Sequence, residues 1–545
     1  MNQKHRNLLI LIILSFLFNL WVFYPGFDRY SVSNDAVLSS YIFYDLKYGL
    51  FRDDINSLAH THTVPYGYLY TIYILSFILP FLILTKVLPF ILSTFCVITL
   101  YLVGLKLKNA RLGYFLSILF LLYSSTFYFL SGATPRAFQL PFILLFIYLF
   151  INDRFFWCCS LAAISSLFYF PLNAILLLTL FFSMVRLHRK RIFFISDRSK
   201  VLFLSIAILV SLVLLFTINI HFWDSPKYSF DEAKRMQEFN KGGAHYYFGN
   251  IVLDFFSRLF RFYEGESLYS GFFAFENYIS VLFTFILVLS FVFFLAMFRK
   301  KAFYLPPVIY SLFFSSLILF LASHISNFFN FMGIMLLPLY YTKAVFPIFL
   351  IFLISINLER AVTRFGSRKA FTFLTTILIS FAPFYISYFE SGFDRCPIND
   401  KLIEIEELGN DVLLAGHPLF IRFIPLFNKQ RILFGFDTAI LELRPNYELI
   451  KGRMNDFFCL VYSNESSQFE TFCNKYNVTH LILDKDFVES DPYSYQKNNL
   501  LEVYRGIAII NGTLPDNYFL RSVEIPENKS IAILQCPDKN YIRYI

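Results

Sequence analysis

Charged side chains are scarce in this sequence. Asp, Glu, Lys and Arg make up 16% of its 545 residues, against 57% hydrophobic types. Soluble domains run nearer 25% charged. The deficit excludes an ordinary cytosolic enzyme and a long disordered tail. No small-residue cleavage site follows the first apolar stretch, so Lys4, His5 and Arg6 are expected to precede an uncleaved anchor. No CxxC pair or His/Cys spacing marks a metal centre. Tryptophan is rare, with three residues, whereas Phe (73) and Tyr (36) are abundant and supply much of the packing and lipid-facing surface.

The mean hydropathy is +0.57, and apolar runs near the spanning length recur through residues 1–390, the pattern of a polytopic membrane protein. The net charge of +9 sits in short clusters between those runs. This placement reads as topology-setting loops and not as a nucleic-acid surface.

The first span is expected at 7–24, with its basic end inside. Residues 68–86 are apolar enough to cross, but a crossing there would put Lys106, Lys108 and Arg111 outside. They are therefore assigned to the outer interface. Further spans follow at 87–105, 113–131, 138–152, 155–169, 172–187, 201–220, 277–298, 305–323, 344–358 and 369–387. The basic clusters at 186–200, 299–301 and 360–369 then all fall on one side, which gives about eleven crossings. An odd number sends the C-terminal part outside, opposite a cytoplasmic N-terminus. The expected fold is thus mainly α, a membrane domain over 1–387 with a small extracytoplasmic α/β domain over 388–545. The first outer loop spans 25–86 and a second large one 221–276, where 251–263 reads as an interfacial amphipathic helix.

In the C-terminal part, 411–416, 431–436, 457–463 and 479–484 read as strands, and 467–477 as a helix. This region has no GxGxxG, P-loop or nucleophile elbow, so it shows no chemistry of its own. Its cysteines, Cys396, Cys459, Cys473 and Cys536, allow three pairings if two disulfides form. Four N-x-S/T sequons, at Asn464, Asn477, Asn511 and Asn528, matter only in a eukaryotic secretory pathway.

Candidate chemistry concentrates in the first outer loop. Asp35 follows the first span by about ten residues and is held near the bilayer surface if the aromatic-rich stretch after it folds back. Partial desolvation there raises a carboxylate's pKa and basicity, suiting it to take a proton from an acceptor hydroxyl. Asp53 and Asp54 offer a second carboxylate, for acceptor positioning or a divalent ion. His60 and His62 would share one face of a strand, but a metal site needs more than two ligands. They stand as candidate substrate contacts or plain loop histidines. Arg136, in SGATPRAFQLPF, and Lys343, in LPLYYTKAVFPIF, are isolated cations at outer ends of apolar runs. Either can meet a lipid phosphate or simply reach the headgroups.

These features together resemble the GT-C glycosyltransferase superfamily, which includes protein O-mannosyltransferases and aminoarabinose transferases. Asp35 matches the acidic residue that such proteins carry after the first span. VPYGYLYTIYIL (64–75) resembles their Pro–aromatic interfacial element, and 86–122 the span that follows. Lys343 stands where many relatives have Arg, and Asp35-Ala36 replaces the Asp-Glu pair of the mannosyltransferases. The resemblance implies an inverting transferase in the cell membrane that uses a polyprenyl-phosphate-linked sugar and an outward-facing lipid, glycan or protein hydroxyl. Asp35 would be the base, with Arg136 and Lys343 neutralising the phosphate. The competing classes are a transporter or flippase of lipid-linked glycans and a non-catalytic membrane scaffold. A transferase needs Asp35, Arg136 and Lys343 to converge on one outward cavity, a transporter needs polar residues at mid-bilayer, and a scaffold needs neither.

Overall fold

The computed structural model describes residues 3–22, 31–32, 34–50, 65–122, 130, 134–188, 191–194, 197–218, 232, 305–329, 339–342 and 344–365. In the C-terminal part it describes 394–395, 405–409, 411–417, 421–434, 444–461, 467–484, 525–526, 531–536 and 542–544. The expected spans at 277–298 and 369–387 lie outside these residues, as does the second large loop apart from Glu232.

The chain is mainly helical. Helix α1 (Gln3–Val22) leads through a two-residue strand, β1 (Ser31–Val32), to α2 (Asn34–Tyr48) and α3 (Tyr66–Leu75). The 27-residue α4 (Phe81–Leu107) follows. Among the described residues, α4 is the one helix long and apolar enough to cross a membrane, with shorter apolar helices around it. It starts at Phe81, six residues before the boundary expected at 87. Pro80 caps it with an extended backbone; its fixed φ suits the position ahead of a first turn, where a missing N–H is harmless. The part of 68–86 that stays out of the long helix is α3 and the turn after it.

Helix α4 runs antiparallel to α1: Tyr101 meets Asn7, Thr94 meets Ser15 at 3.3 Å, and Phe90 meets Phe16. It then turns tightly into α5 (Ala110–Leu122). The turn works because both facing residues are glycine. A Cβ on Gly104 would lie 2.2 Å from the Gly113 Cα, so any side chain there would push the helices apart. Asn109 Oδ1 accepts the Leu112 N–H at 2.9 Å, capping α5.

Three further helices follow: α6 (Gln139–Ile151), α7 (Phe155–Ser165) and α8 (Phe170–Ser183). After the hairpin β2 (Val185–His188) and β3 (Arg191–Phe194) come α9 (Arg198–Ile218) and α10 (Pro307–Phe329). The bundle closes with the one-turn α11 (Leu339–Thr342) and α12 (Val345–Phe365). Polar residues clasp helix to helix. Asn173 donates to the Ala162 carbonyl and to Ser211, Thr179 pairs with Ser315, and Ser316 donates to the Tyr341 carbonyl. Apolar side chains meanwhile stay exposed along α1 (Ile13, Phe16, Leu17) and α9 (Leu202, Leu209, Val213). Rows of this kind are surfaces that a membrane or a partner protein covers.

The C-terminal part carries β4 (Asp394–Arg395), β5 (Leu413–Gly416), α13 (Ile424–Asn428), β6 (Arg431–Ile432), α14 (Arg444–Val461), α15 (Ser467–Tyr476), β7 (His480–Asp484), β8 (Ile531–Gln535) and β9 (Ile542–Tyr544). Five strands form one mixed sheet in the order β6-β5-β7-β8-β9. It is parallel where β5 meets β6 and β7, and antiparallel onward. Strand alternation gives the sheet two dry faces. Leu414, Ile432, Ile482, Ile531 and Ile533 join the core shared with the helical bundle. Ala415, Leu481, Leu483, Ala532 and Leu534 pack instead against α14 and α15.

One expectation fails here. Residues 457–461 are not a strand but the end of α14, and 462–463 lie outside the described residues. Ile450, Met454, Phe457, Phe458 and Val461 are all buried in the second core, spaced at the helical period of one face. Read over six residues, that stripe mimics a continuous apolar strand. Cys473 and Cys536 form a disulfide between α15 and the residue after β8, Cys459 is free and exposed, and Cys396 lies outside the described residues.

Candidate functional site

The two ends of the bundle differ in chemistry. At one end Lys108 pairs with Glu359, whose other oxygen accepts from Asn109 at 2.9 Å. Beside them a cavity of about 370 Å³ is lined by Lys108, Asp153, Pro307, Glu359 and Arg360. At the opposite end sits the folded first loop, and the residues singled out from the sequence belong there.

Asp35 is the second residue of α2, directly after β1. The loop does fold back on an aromatic-rich helix, as expected, and α2 is gripped along its length. Ser39, one turn after Asp35, shares a hydrogen bond with Tyr68 of α3. Phe43 stacks on Phe81 at 4.6 Å. Lys47 donates to the Ser76 carbonyl and hydroxyl at 3.1 and 3.0 Å and lies within 5.6 Å of the Phe43, Tyr48 and Phe77 ring centroids. Such cation–aromatic contacts are worth about 0.5–2 kcal/mol, according to how dry they are.

Tyr68 is the hinge-pin of this end. Its ring is 1% exposed and meets Phe138 edge-on at 6.2 Å. Phe138 packs in turn on Phe168, at 5.2 Å. Burial pushes the Tyr68 phenol well above its ordinary range, with the Ser39 hydrogen bond pulling the other way. Tyr68 thus remains a neutral hydroxyl. Its neighbour Gly67 lets α3 dock: the Gly67 N–H donates to the Leu167 carbonyl at 2.8 Å, an approach with no room for a Cβ.

Arg136 lies in a 3-10 turn (Pro135–Phe138) that opens α6. It is half-buried, two residues before the Phe138 that Tyr68 touches. The chain Ser39–Tyr68–Phe138 therefore links the helix that carries Asp35 to the turn that carries Arg136. Gln139, 2% exposed, is three residues past Arg136, and its Nε2 has no hydrogen-bond partner among the described residues. A buried amide of that kind ordinarily finds a partner, often an ordered water.

Asp53, Asp54, His60, His62 and Lys343 lie outside the described residues. The flanks of Lys343 are described: Tyr341, Thr342 and Ala344 are buried. They pack at the level of Ser316, nine residues into α10. Among the described residues no group of three or more His, Cys, Asp or Glu side chains forms a metal site. Sequence reasoning missed Ser39, Tyr44, Tyr68 and Gln139. Tyr68 had a signal, since a tyrosine inside a Pro-Tyr-Gly-Tyr segment is well placed to dock by its ring; Gln139, buried among Phe and Leu, had none.

With the geometry in place, the chain can be set beside solved structures. It resembles the archaeal oligosaccharyltransferase AglB of Archaeoglobus fulgidus in complex with an inhibitory peptide and a dolichol-phosphate. The TM-score is 0.53 at 14% identity, over 98% of this chain and 76% of that one. The apo form of the A. fulgidus enzyme gives 0.52 at 13%, over 97% and 76%. The form tethered to an acceptor peptide gives 0.50 at 14%, over 97% and 75%. This chain shares the fold of that enzyme. No protein-family model and no curated protein matches it. At such identities the likeness speaks for the fold, and chemistry must be argued from the residues.

Proposed function

We propose that this GT-C-fold protein is an inverting membrane glycosyltransferase that moves a sugar from a polyprenyl-phosphate-linked donor to an outward-facing acceptor hydroxyl of a lipid, glycan or protein. The observation that carries the reading is the placement of Asp35. It is the second residue of a helix held by α3 and α4, from which the Ser39–Tyr68–Phe138 contacts lead toward the turn bearing Arg136, in a chain that is similar in fold to a known transferase over 98% of its length. In the proposed step the Asp35 carboxylate takes the acceptor O–H proton. The acceptor oxygen attacks the anomeric carbon from the face opposite the phosphate. The bond from that carbon to the phosphate oxygen breaks, and polyprenyl phosphate leaves with the electron pair. Arg136 and Lys343 neutralise the charge that develops there, where fixed cations help most. Asp53, Asp54, His60 and His62 remain candidates for acceptor positioning, and Asp53 and Asp54 for a divalent ion.

The orientation belongs to the same proposal. About eleven crossings put the Lys108–Glu359 end in the cytoplasm, in line with its basic residues, and residues 388–545 outside as an α/β domain docked on the bundle. The Cys473–Cys536 disulfide supports an oxidising compartment for that part. A cytoplasm-dependent reporter fused after Ile545 should stay silent; activity would overturn the orientation.

The chemistry is tested by Asp35→Asn in a transfer assay with a panel of polyprenyl-phosphate sugars, mannose and aminoarabinose among them. The exchange keeps size and hydrogen bonding but removes the base, so the rate should fall about 10²–10⁴-fold. Arg136→Lys, which keeps charge and loses the planar fork, should fall between that and wild type. Near wild-type transfer by Asp35→Asn refutes the assignment.

A further inference from the structure

Two separate contacts join the C-terminal part to the helix that carries Asp35 and to the strand just before it. The first lies just upstream. β1 pairs antiparallel with β4, Ser31 opposite Arg395 and Val32 opposite Asp394, so the backbone three residues before Asp35 is held by a strand more than 350 residues away in sequence. The second lies two to three turns downstream. The Tyr44 hydroxyl donates to the Leu426 carbonyl at 3.0 Å, in the middle of α13. Lys429 follows with its ammonium 5.0 Å from the Tyr48 ring centroid and 5.9 Å from that of Tyr44. The two helices also pack on each other, and Val37, Tyr41 and Tyr44 belong to the same core as Ile421, Phe423, Ile424 and Leu426.

We infer that the C-terminal part positions the proposed catalytic helix, with Tyr44 as the positioning residue that fixes α2 along its axis. The inference rests on the proposed role of Asp35. A helix held only by apolar packing can slide or rotate by a fraction of a turn at little cost. A strand pair at its start and a directional hydrogen bond at its far end remove that freedom. Tyr44 is suited to this. It is 7% exposed, and burial, with Tyr48 adding to it, pushes its phenol well above the ordinary range, so it stays a donor wherever the protein is folded. Truncating it to Phe keeps the ring against Phe81 and removes the hydrogen bond alone.

Two arms of one experiment test this on the full-length protein in lipid nanodiscs. The first needs no substrate: amide hydrogen exchange across 36–44 should rise about fivefold in Tyr44→Phe, the equivalent of one ordinary hydrogen bond, while α4 and α6 keep their protection. Unchanged exchange in α2 overturns the clamp. The second arm is a kinetic cycle with the polyprenyl-phosphate sugar that supports transfer. Tyr44→Phe should lower kcat about fivefold or more, leaving KM for the donor within about twofold. In the Asp35→Asn background it should have no further effect, because it acts through Asp35. A merely structural role would multiply with the Asp35 loss, and that result overturns the inference. If Asp35→Asn itself leaves transfer intact, the proposed function fails while the exchange arm still decides the clamp.

Discussion

The docking of α3 on the bundle yields the sharpest test. Gly67→Ala adds one methyl where the ideal Cβ lies 2.6 Å from the Leu167 Cβ and 2.7 Å from its carbonyl oxygen. Ordinary carbon contacts are about 3.5–4.0 Å, and both opposing atoms are fixed to backbone, so α3 has to retreat by about 1 Å. The retreat stretches the 2.8 Å hydrogen bond from the Gly67 N–H and lifts Tyr68 from Phe138. Overpacking costs about 1–3 kcal/mol, the hydrogen bond about 0.5–1.5 and the ring pair about 0.5–1.5. The local loss is thus about 2–6 kcal/mol, enough to release a ten-residue helix without unfolding the bundle. Hydrogen exchange over 66–75 reads it directly. Because Tyr68 also holds Ser39, transfer should fall as well, by about 10²-fold for a 1 Å misplacement. Gly452→Ala in α14 is the control. Nothing lies within 4 Å of its Cβ, so alanine should stabilise that helix by about 0.5–1 kcal/mol. Wild-type protection of 66–75 in Gly67→Ala would refute the close approach of α3 to Leu167.

Other outcomes follow from single contacts. Lys108→Met should destabilise more than Glu359→Gln, because it leaves a carboxylate 2% exposed with only neutral partners, Asn109 and Thr363; a loss of about 1–3 kcal/mol is expected, read by thermal unfolding in detergent. Cys473→Ser, opening a loop of 63 residues, should cost the C-terminal part about 4 kcal/mol on the chain-entropy account. In the unreduced native protein, thiol reagents should modify Cys459 and leave Cys473 and Cys536 untouched. Burial lowers the His480 pKa from its ordinary 6.5. The unfolded chain therefore binds the proton more readily, and stability present above pH 6.5 is lost as the pH falls below it. His480→Gln should flatten that acid limb in a pH series of melting curves, and an unchanged slope would count against it.

The membrane class, the helical bundle and the position of the first-loop helix were legible in the sequence, because each rests on local quantities: apolar length, charge placement, a Pro–aromatic start. So were β5, β6, β7 and α15, whose short patterns sit between clear breaks. The stretch at 457–461 was misread because six residues of an amphipathic helix and a buried strand present the same apolar run; only the spacing back to Ile450 and Met454 separates them. Pairings distant in sequence had no signal at all. Nothing local in Tyr44 specifies Leu426, nothing in Ser31 specifies Arg395, and Cys473 had three possible partners. Even the glycines at 67, 104 and 113 look like ordinary small residues until the opposing backbone is in view. Periodicity and hydropathy are properties of a segment and its solvent, so composition determined where the helices form and how apolar they are. The partner that each buried polar group meets depends on how distant segments pack, and that was decided by the tertiary structure, which brought the C-terminal part onto the helix that carries Asp35.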